Sequence, residues 1–387
     1  MTSPGAAAGP SAATGPLRRV IKVGTSLLRG QADRSTAAVI TDLVASLARC
    51  RQRGEAIALV TSGAVGLGCT SLAIERRPSE VVALQAAAAV GQGRLMGLYQ
   101  DAFAIRGLQV AQVLLTRGDL ASRRRYHNAC RTLEQLLAWG VVPIVNENDT
   151  LATDELRFGD NDTLSALVAV AIKAQELVLL TDIDRLYSGD PRTDPHARPI
   201  DLVRDLAELE RYGRGAGGGG RWGTGGMGTK ITAARIATTS GVRVRLADGR
   251  DPAIVEALLC GQPVGTLFEP SPSPLPGRKG WLAHAVLPMG SVTVDAGAEQ
   301  ALVHRGASLL AVGICAIEGN FERQQPVRVL ALDGRELGRG LSALGSEELQ
   351  QILAQGSEER RLRLGAVGEA VIHRDQFVLT PAVERNP

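Results

Sequence analysis

Gly140-Val141-Val142-Pro143-Ile144-Val145-Asn146-Glu147-Asn148-Asp149 joins a glycine to an unbroken apolar run and then to a cluster of amide and carboxylate side chains. That order decides the fold. The glycine can take the left-handed conformation that ends a helix. The run that follows is too apolar for a strand with one face in water and fits a parallel sheet covered on both faces. The polar cluster then falls at the strand's carboxyl end, where open α/β sheets bind their ligands.

The same unit recurs in style without recurring in identity. Gly54 precedes Glu55-Ala56-Ile57-Ala58-Leu59-Val60, Gly107 precedes Leu108-Gln109-Val110, and Gly241 precedes Val242-Arg243-Val244. With Val20-Ile21-Lys22-Val23 and Leu177-Val178-Leu179-Leu180 this makes at least six strands, alternating with Ala/Leu-rich helical patterns. The pattern predicts an α/β, three-layer sandwich with a mainly parallel sheet.

Composition sets the outer limits. A chain of 387 residues with 44% hydrophobic content can build two ordinary cores. Its 43 basic and 40 acidic residues are mixed along the chain, so the net charge of +3 forms no stripe for nucleic acid. Cys50, Cys69, Cys130, Cys260 and Cys315 are odd in number and far apart, which points to reduced thiols and a cytoplasmic setting. Residues 1–16 lack a basic start and an apolar stretch and read as a disordered tail, not a signal peptide. No apolar run reaches the roughly 18 residues a bilayer requires, so a soluble protein with no membrane contact is expected.

Polar motifs stand where the strands end: Lys22-Val23-Gly24-Thr25-Ser26, Thr61-Ser62-Gly63-Ala64, Asn146-Glu147-Asn148-Asp149 and Thr181-Asp182, with Gly159-Asp160-Asn161-Asp162 opening a helix. Ten of the sixteen residues 213–228 are glycine, and the stretch ends in Gly223-Thr224-Gly225-Gly226-Met227-Gly228-Thr229-Lys230 before a helical pattern over 231–240. Backbone N–H groups in such a loop can approach an anion unobstructed, and the helix dipole and the lysine attract the same charge. The order Gly-Thr-Lys misses the P-loop pattern by one residue. Each motif also has a plainer meaning: Lys22 as a solvated strand end, Ser62 and the Asp160/Asp162 pair as helix caps, the glycine run as a linker. His373-Arg374-Asp375 lacks the companions of a protein-kinase loop. The five histidines have no metal-ligand spacing.

Taken together, Lys22-Val-Gly-Thr-Ser, Thr61-Ser-Gly-Ala, Asn146-Glu-Asn-Asp, Gly159-Asp-Asn-Asp, Thr181-Asp182 and Gly225-Gly226-Met227-x-Thr229-Lys230 resemble the amino acid kinase family over about residues 17–270, in the branch that acts on the side-chain carboxylate of L-glutamate. From Gly290 onward Val292-Thr293-Val294-Asp295, Arg305-Gly306-x-Ser308 and Gly319-Asn320-Phe321 resemble a PUA domain. The resemblance implies ATP-dependent formation of L-glutamyl 5-phosphate, the first step of proline biosynthesis, with Mg²⁺ on the nucleotide. It implies catalytic roles for Lys22, Lys230 and Asp162, with Asp162 holding the two lysines. It implies an ATP site from Lys22, Thr181, Asp182, Thr224, Gly225, Gly226, Met227, Gly228, Thr229 and Lys230, and a glutamate site from Ser62, Asn146, Asp149 and Asn161. No protein ligand to a metal is assigned, and a homo-oligomer is expected. The implied division is a tail over 1–16, a kinase domain over 17–269, a Pro-rich linker over 270–289 and a PUA-like domain over 290–380.

Departures from the pattern are local. Gly228 stands where serine is common, and Phe321-Glu322-Arg323 replaces the usual Gly-Asp after the phenylalanine. A sibling carboxylate kinase is the nearest alternative reading. An RNA-binding protein built on the last hundred residues is the distant one, and a region with Phe321 and Phe377 as its aromatics and no clustered lysine argues against it.

Overall fold

The computed structural model describes residues 16–29, 34–151, 161–205, 207–209, 211–212, 226–275, 277–284, 288–354 and 370–380. Ten short strands belong to the larger part of the molecule among these: β1 (Arg18–Val23), β2 (Ala56–Val60), β3 (Val110–Leu115), β4 (Val142–Glu147), β5 (Glu176–Thr181), β6 (Leu186–Tyr187), β7 (Pro199–Ile200), β8 (Leu202–Val203), β9 (Arg243–Asp248) and β10 (Thr266–Phe268). Eight of them form one sheet in the order β3-β4-β2-β1-β5-β9-β10-β8. From β3 to β9 every pairing is parallel, and β10 is antiparallel to β9. The six expected strands are the six parallel ones. Gly54, Gly107, Gly140 and Gly241 have φ of 82°, 67°, 78° and 84°, the left-handed conformation that lets each helix stop and the next strand begin.

Alternate residues of a strand face opposite layers, and β1 shows what this does for the site. Ile21 and Val23 join Ile57, Leu59, Val178 and Leu180 in the core under α2 (Thr36–Gln52). Val20 joins Ala58, Val60, Leu177 and Leu179 on the other face, under α7 (Asn161–Ala171) and α8 (Met227–Thr239). Lys22 shares the parity of Val20, so its side chain enters the layer of α7 and α8. Every residue of α7 except Thr163 is buried, as expected of a helix that is apolar nearly all round.

Among the described residues this part also carries the helices α1 (Thr25–Leu28), α3 (Ala64–Ser71), α4 (Val81–Ala104), α5 (Arg117–Ala121), α6 (Arg123–Ala138) and α9 (Pro252–Leu259). Among the described residues α4 has the length and apolar composition of a membrane span, with a mean hydropathy of 1.2 over its most apolar window. It is no unbroken apolar run, because Gln85, Gln92, Arg94, Gln100 and Asp101 interrupt it. Its small residues have another use: a Cβ on Gly91 would lie 1.8 Å from the Ala64 carbonyl oxygen, and one on Gly68 1.7 Å from that of Ala87. Backbone meets backbone where α3 crosses α4, and only glycine allows it.

The smaller sheet has the order β12-β11-β13-β14-β15, from β11 (Gly290–Val294), β12 (Ile314–Gly319), β13 (Pro326–Leu330), β14 (Glu336–Leu341) and β15 (Phe377–Leu379). Its core holds Val292, Val294, Val327, Val329 and Leu337 together with Phe321 and Phe377, so neither ring is presented for stacking on a base. Segment 270–289, expected as a linker, carries a packed helix, α10 (Gly277–His284). Trp281, 3% exposed, donates its indole N–H to the Leu120 carbonyl at 2.7 Å and lies against the Tyr126 ring. On its other side α10 meets β14 and β15, and Leu341 and Val378 of those strands belong to the core of the larger sheet. Proline content suggested a free hinge; a tryptophan anchor five residues past Pro276 outweighs it.

Candidate active site

The carboxyl ends of β1, β2, β4 and β5 deliver the polar motifs to one edge of the sheet. Asp162, in the first turn of α7, is 0% exposed. Its Oδ1 lies 2.5 Å from Nζ of Lys22, and its Oδ2 accepts hydrogen bonds from Nζ of Lys230 at 3.1 Å and from the Thr229 hydroxyl at 2.9 Å. Lys22 and Lys230 are themselves buried. A lone buried ammonium is costly, and one carboxylate shared by two leaves this centre a net positive charge. α8 begins at Met227, four residues before the expected start, so Lys230 sits inside its first turn and not ahead of it. Gly226 is the N-cap residue, and a Cβ on Gly228 would meet nothing within 4 Å. The backbone there is open to a ligand. Thr224, Gly225, Gly159 and Asp160 lie outside the described residues.

A second constellation surrounds Asn161. Its Nδ2 donates to the Thr61 carbonyl at 2.5 Å, to Asn146 Oδ1 at 2.8 Å and to the Ser62 hydroxyl at 2.9 Å. Asn146 in turn donates to Gln92 Oε1 at 2.8 Å. Asn161 is 7% exposed, and its Oδ1 has no partner. Gly63, with φ of 101°, turns the chain from β2 into α3, and no side chain caps that helix. Ser62, Asn146, Asn161 and Asp149 border a cavity of about 420 Å³, together with Arg29 and Arg77. Gln92, Arg29 and Arg77 went unnoticed in the sequence. Arg29 follows the first motif closely enough to have been suspected, whereas Arg77 lies in a loop with no pattern.

A larger cavity, about 510 Å³, opens beyond β5 and is bordered by Asp182, Asp184, Tyr187, Tyr212, Met227 and Arg250 among others. Thr181 is buried beneath it, donating to Asp182 Oδ1 at 3.2 Å. Burial alone would raise the Asp248 carboxyl, yet the hydrogen bonds from the Arg250 side chain and backbone hold it below its ordinary value. Chain neighbours tie the ionic centre to both cavities: Asn161, next to Asp162, borders the smaller, and Met227, one turn before Lys230, borders the larger. Two cavities bordered by near neighbours of one buried positive centre suit two anionic reactants that exchange a charged group.

The chain is similar to known proteins over nearly its whole length. Residues 18–248 match the model of the amino acid kinase family, and residues 290–361 match that of the PUA domain. The chain is 58% identical over 360 residues to a glutamate 5-kinase of Synechococcus sp. (strain CC9605), covering 93% of this chain and 98% of the relative. It is 56% identical to a glutamate 5-kinase of Prochlorococcus marinus (strain MIT 9313), over 94% of this chain and 99% of that one. A glutamate 5-kinase of Synechococcus elongatus is 53% identical, over 93% and 99% of the two chains. By sequence and by architecture, the chain belongs to the amino acid kinase family, with a PUA domain after its kinase region.

Proposed function

We propose that the chain is a glutamate 5-kinase: it transfers the γ-phosphoryl group of ATP to the side-chain carboxylate of L-glutamate, giving L-glutamyl 5-phosphate and ADP for proline biosynthesis. Near-full-length relatives with that name support the reaction. The observation that carries the site assignment is the buried Lys22–Asp162–Lys230 set, whose near neighbours Met227 and Asn161 border a cavity of nucleotide size and a polar one.

The chemistry follows from charge. The acceptor carboxylate is ionised at neutral pH, so no base has to remove a proton. Its oxygen forms a bond to the γ-phosphorus as the bond to the ADP oxygen breaks, and no proton moves in this step. Two anions must meet, so catalysis consists of positioning and of positive charge around the phosphoryl group. Lys22 and Lys230 supply that charge, and Asp162 holds both ammoniums in place. Thr181, Asp182 and the start of α8 (Gly226, Met227, Gly228, Thr229) bind the nucleotide, joined by Thr224 and Gly225. Ser62, Asn146 and Asn161 hold the glutamate, and Asp149 faces its ammonium. Among the described residues no three acidic, histidine or cysteine side chains gather as a metal cage. Mg²⁺ would be carried by the nucleotide's phosphates and keep most of its waters. When bound, it neutralises phosphate charge.

The test is incubation with ATP, Mg²⁺ and, separately, glutamate, aspartate, N-acetylglutamate and UMP, reading ADP release and trapping acyl phosphate with hydroxylamine. Hydroxamate from glutamate alone is the expected result. ADP release with another acceptor and none with glutamate overturns the reading.

A further inference from the structure

The 420 Å³ cavity contains more charge than the residues so far assigned to it use. Asp149 and Glu147 contribute negative charge, and Arg29 and Arg77 contribute positive charge from separate parts of the chain. Arg29 caps the carboxyl end of α1, just past the turn that follows Lys22. Arg77 comes from the loop between α3 and α4. Both are exposed, and no hydrogen bond or ion pair to a described residue engages either guanidinium. Two other arginines that border cavities are paired, Arg250 with Asp248 and Arg339 with Glu336. Two guanidiniums without a partner among the described residues border one polar cavity, and together they present the donors and the charge that an anion requires.

Which anion follows from the substrate's own charges. Glutamate carries an ammonium and two carboxylates. Asp149 answers the ammonium, and the side-chain carboxylate must approach the Lys22–Lys230 centre, where the phosphoryl group arrives. The α-carboxylate is left, and it needs a cation on the side of the cavity away from that centre. We propose that Arg29 and Arg77 bind the α-carboxylate of the acceptor and thereby set the enzyme's preference for an α-amino acid over a simple ω-carboxylate. This assignment rests on glutamate being the acceptor. A guanidinium presents two parallel N–H donors to a carboxylate, so either residue can engage it bidentately. Three anchors at fixed positions also explain how a short, flexible substrate is held with one carboxylate aimed at the nucleotide.

The experiment compares wild type with Arg29→Ala, Arg77→Ala and the double variant in steady-state kinetics, with circular dichroism to verify folding. Each single variant should raise KM for glutamate roughly tenfold, and the double variant more, as expected for loss of a charge-assisted contact. KM for ATP should stay put and kcat should move by no more than about threefold, because the contact is made in ground and transition state alike. Arg77→Lys should recover part of the loss. The decisive comparison is 4-aminobutyrate, which is glutamate without its α-carboxylate, used as a competitor: its inhibition constant should be the same in wild type and double variant. A glutamate KM unchanged in the double variant overturns the proposal, and so does equal weakening of glutamate and 4-aminobutyrate. A wild-type enzyme that fails to phosphorylate glutamate at all sinks the reaction assignment instead, so the two failures are told apart.

Discussion

Nζ of Lys22 lies 2.5 Å from Oδ1 of Asp162, and the two side chains are 3% and 0% exposed. The other oxygen of the same carboxylate serves Lys230. One buried anion thus positions two buried cations that come from the first strand and from a helix two hundred residues later.

Removing the anion should therefore injure fold and chemistry together. Asp162→Ala leaves two ammoniums uncompensated and should destabilise the protein by about 3–5 kcal/mol in urea unfolding. Lys22→Ala and Lys230→Ala should each lower kcat by about a hundredfold or more with a smaller change in KM for glutamate. Arginine should not substitute, because a planar fork does not occupy the place of a compact ammonium. An unaltered kcat in either alanine variant would falsify its proposed role.

Asp149 borders the polar cavity at the end of the β4 motif. Asp149→Asn should raise KM for glutamate roughly tenfold or more, the scale of one charge-assisted hydrogen bond, and leave KM for ATP alone. Equal loss of both affinities would move Asp149 out of the acceptor site.

The α3–α4 crossing tolerates no added carbon. Gly91→Ala would place a methyl 1.8 Å from the Ala64 oxygen, so α3 must shift. Stability should fall by about 1–3 kcal/mol. Since Ser62 and Gly63 lead directly into α3, KM for glutamate should rise in parallel. Gly97→Ala on the same helix, where a Cβ meets nothing, is the control and should keep or raise stability, by up to about 1 kcal/mol, with KM for glutamate unchanged.

Trp281 sets where the chain can be cut. Trp281→Ala removes a buried indole and its hydrogen bond to Leu120, which should cost about 3–5 kcal/mol. A chain ending at Glu269 loses α10 and should unfold at lower temperature than one ending after His284. If both truncations melt together, α10 contributes nothing to the larger core.

Burial, and after it the Glu55 carboxylate, push the Cys50 thiol up to about 11, against the opposing pull of Arg53 and Arg19. The fold holds the neutral thiol, so its contribution is intact below the ordinary value of 9.0 and fades as pH climbs toward about 11. Native protein at pH 8 should leave Cys50 unmodified by iodoacetamide while exposed Cys260 and Cys315 are alkylated. Peptide mapping that finds Cys50 labelled at pH 8 contradicts this.

The parallel sheet was legible because its signal is local: a glycine that ends a helix, then a run apolar on both faces. β8 and β10, of two and three residues, are too short to carry a pattern. The start of α8 was misread because Gly226 and Gly228 look like loop, while the buried Met227, Lys230 and Ile231 hold that turn in a helix. Lys22, Asp162 and Lys230 could be named from their motifs, but their shared carboxylate depends on strand parity and layer, which are visible only once the sheet is assembled. Arg29 and Arg77 meet through tertiary folding alone, and Trp281 was hidden behind prolines that suggested the opposite.

The parity of Lys22 has a consequence for folding fidelity. Slippage of β1 by one position against β2 and β5 would exchange its two faces, sending the ammonium into the layer of Ile21 and Val23 and a valine toward Asp162. Such a chain would keep a plausible apolar sheet yet bury an unanswered carboxylate and an unanswered ammonium in separate layers, each at a cost of several kcal/mol. The reactive charges therefore act as a proofreading device for the first strand: a misaligned molecule is penalised in stability for the same reason that it would be unable to catalyse.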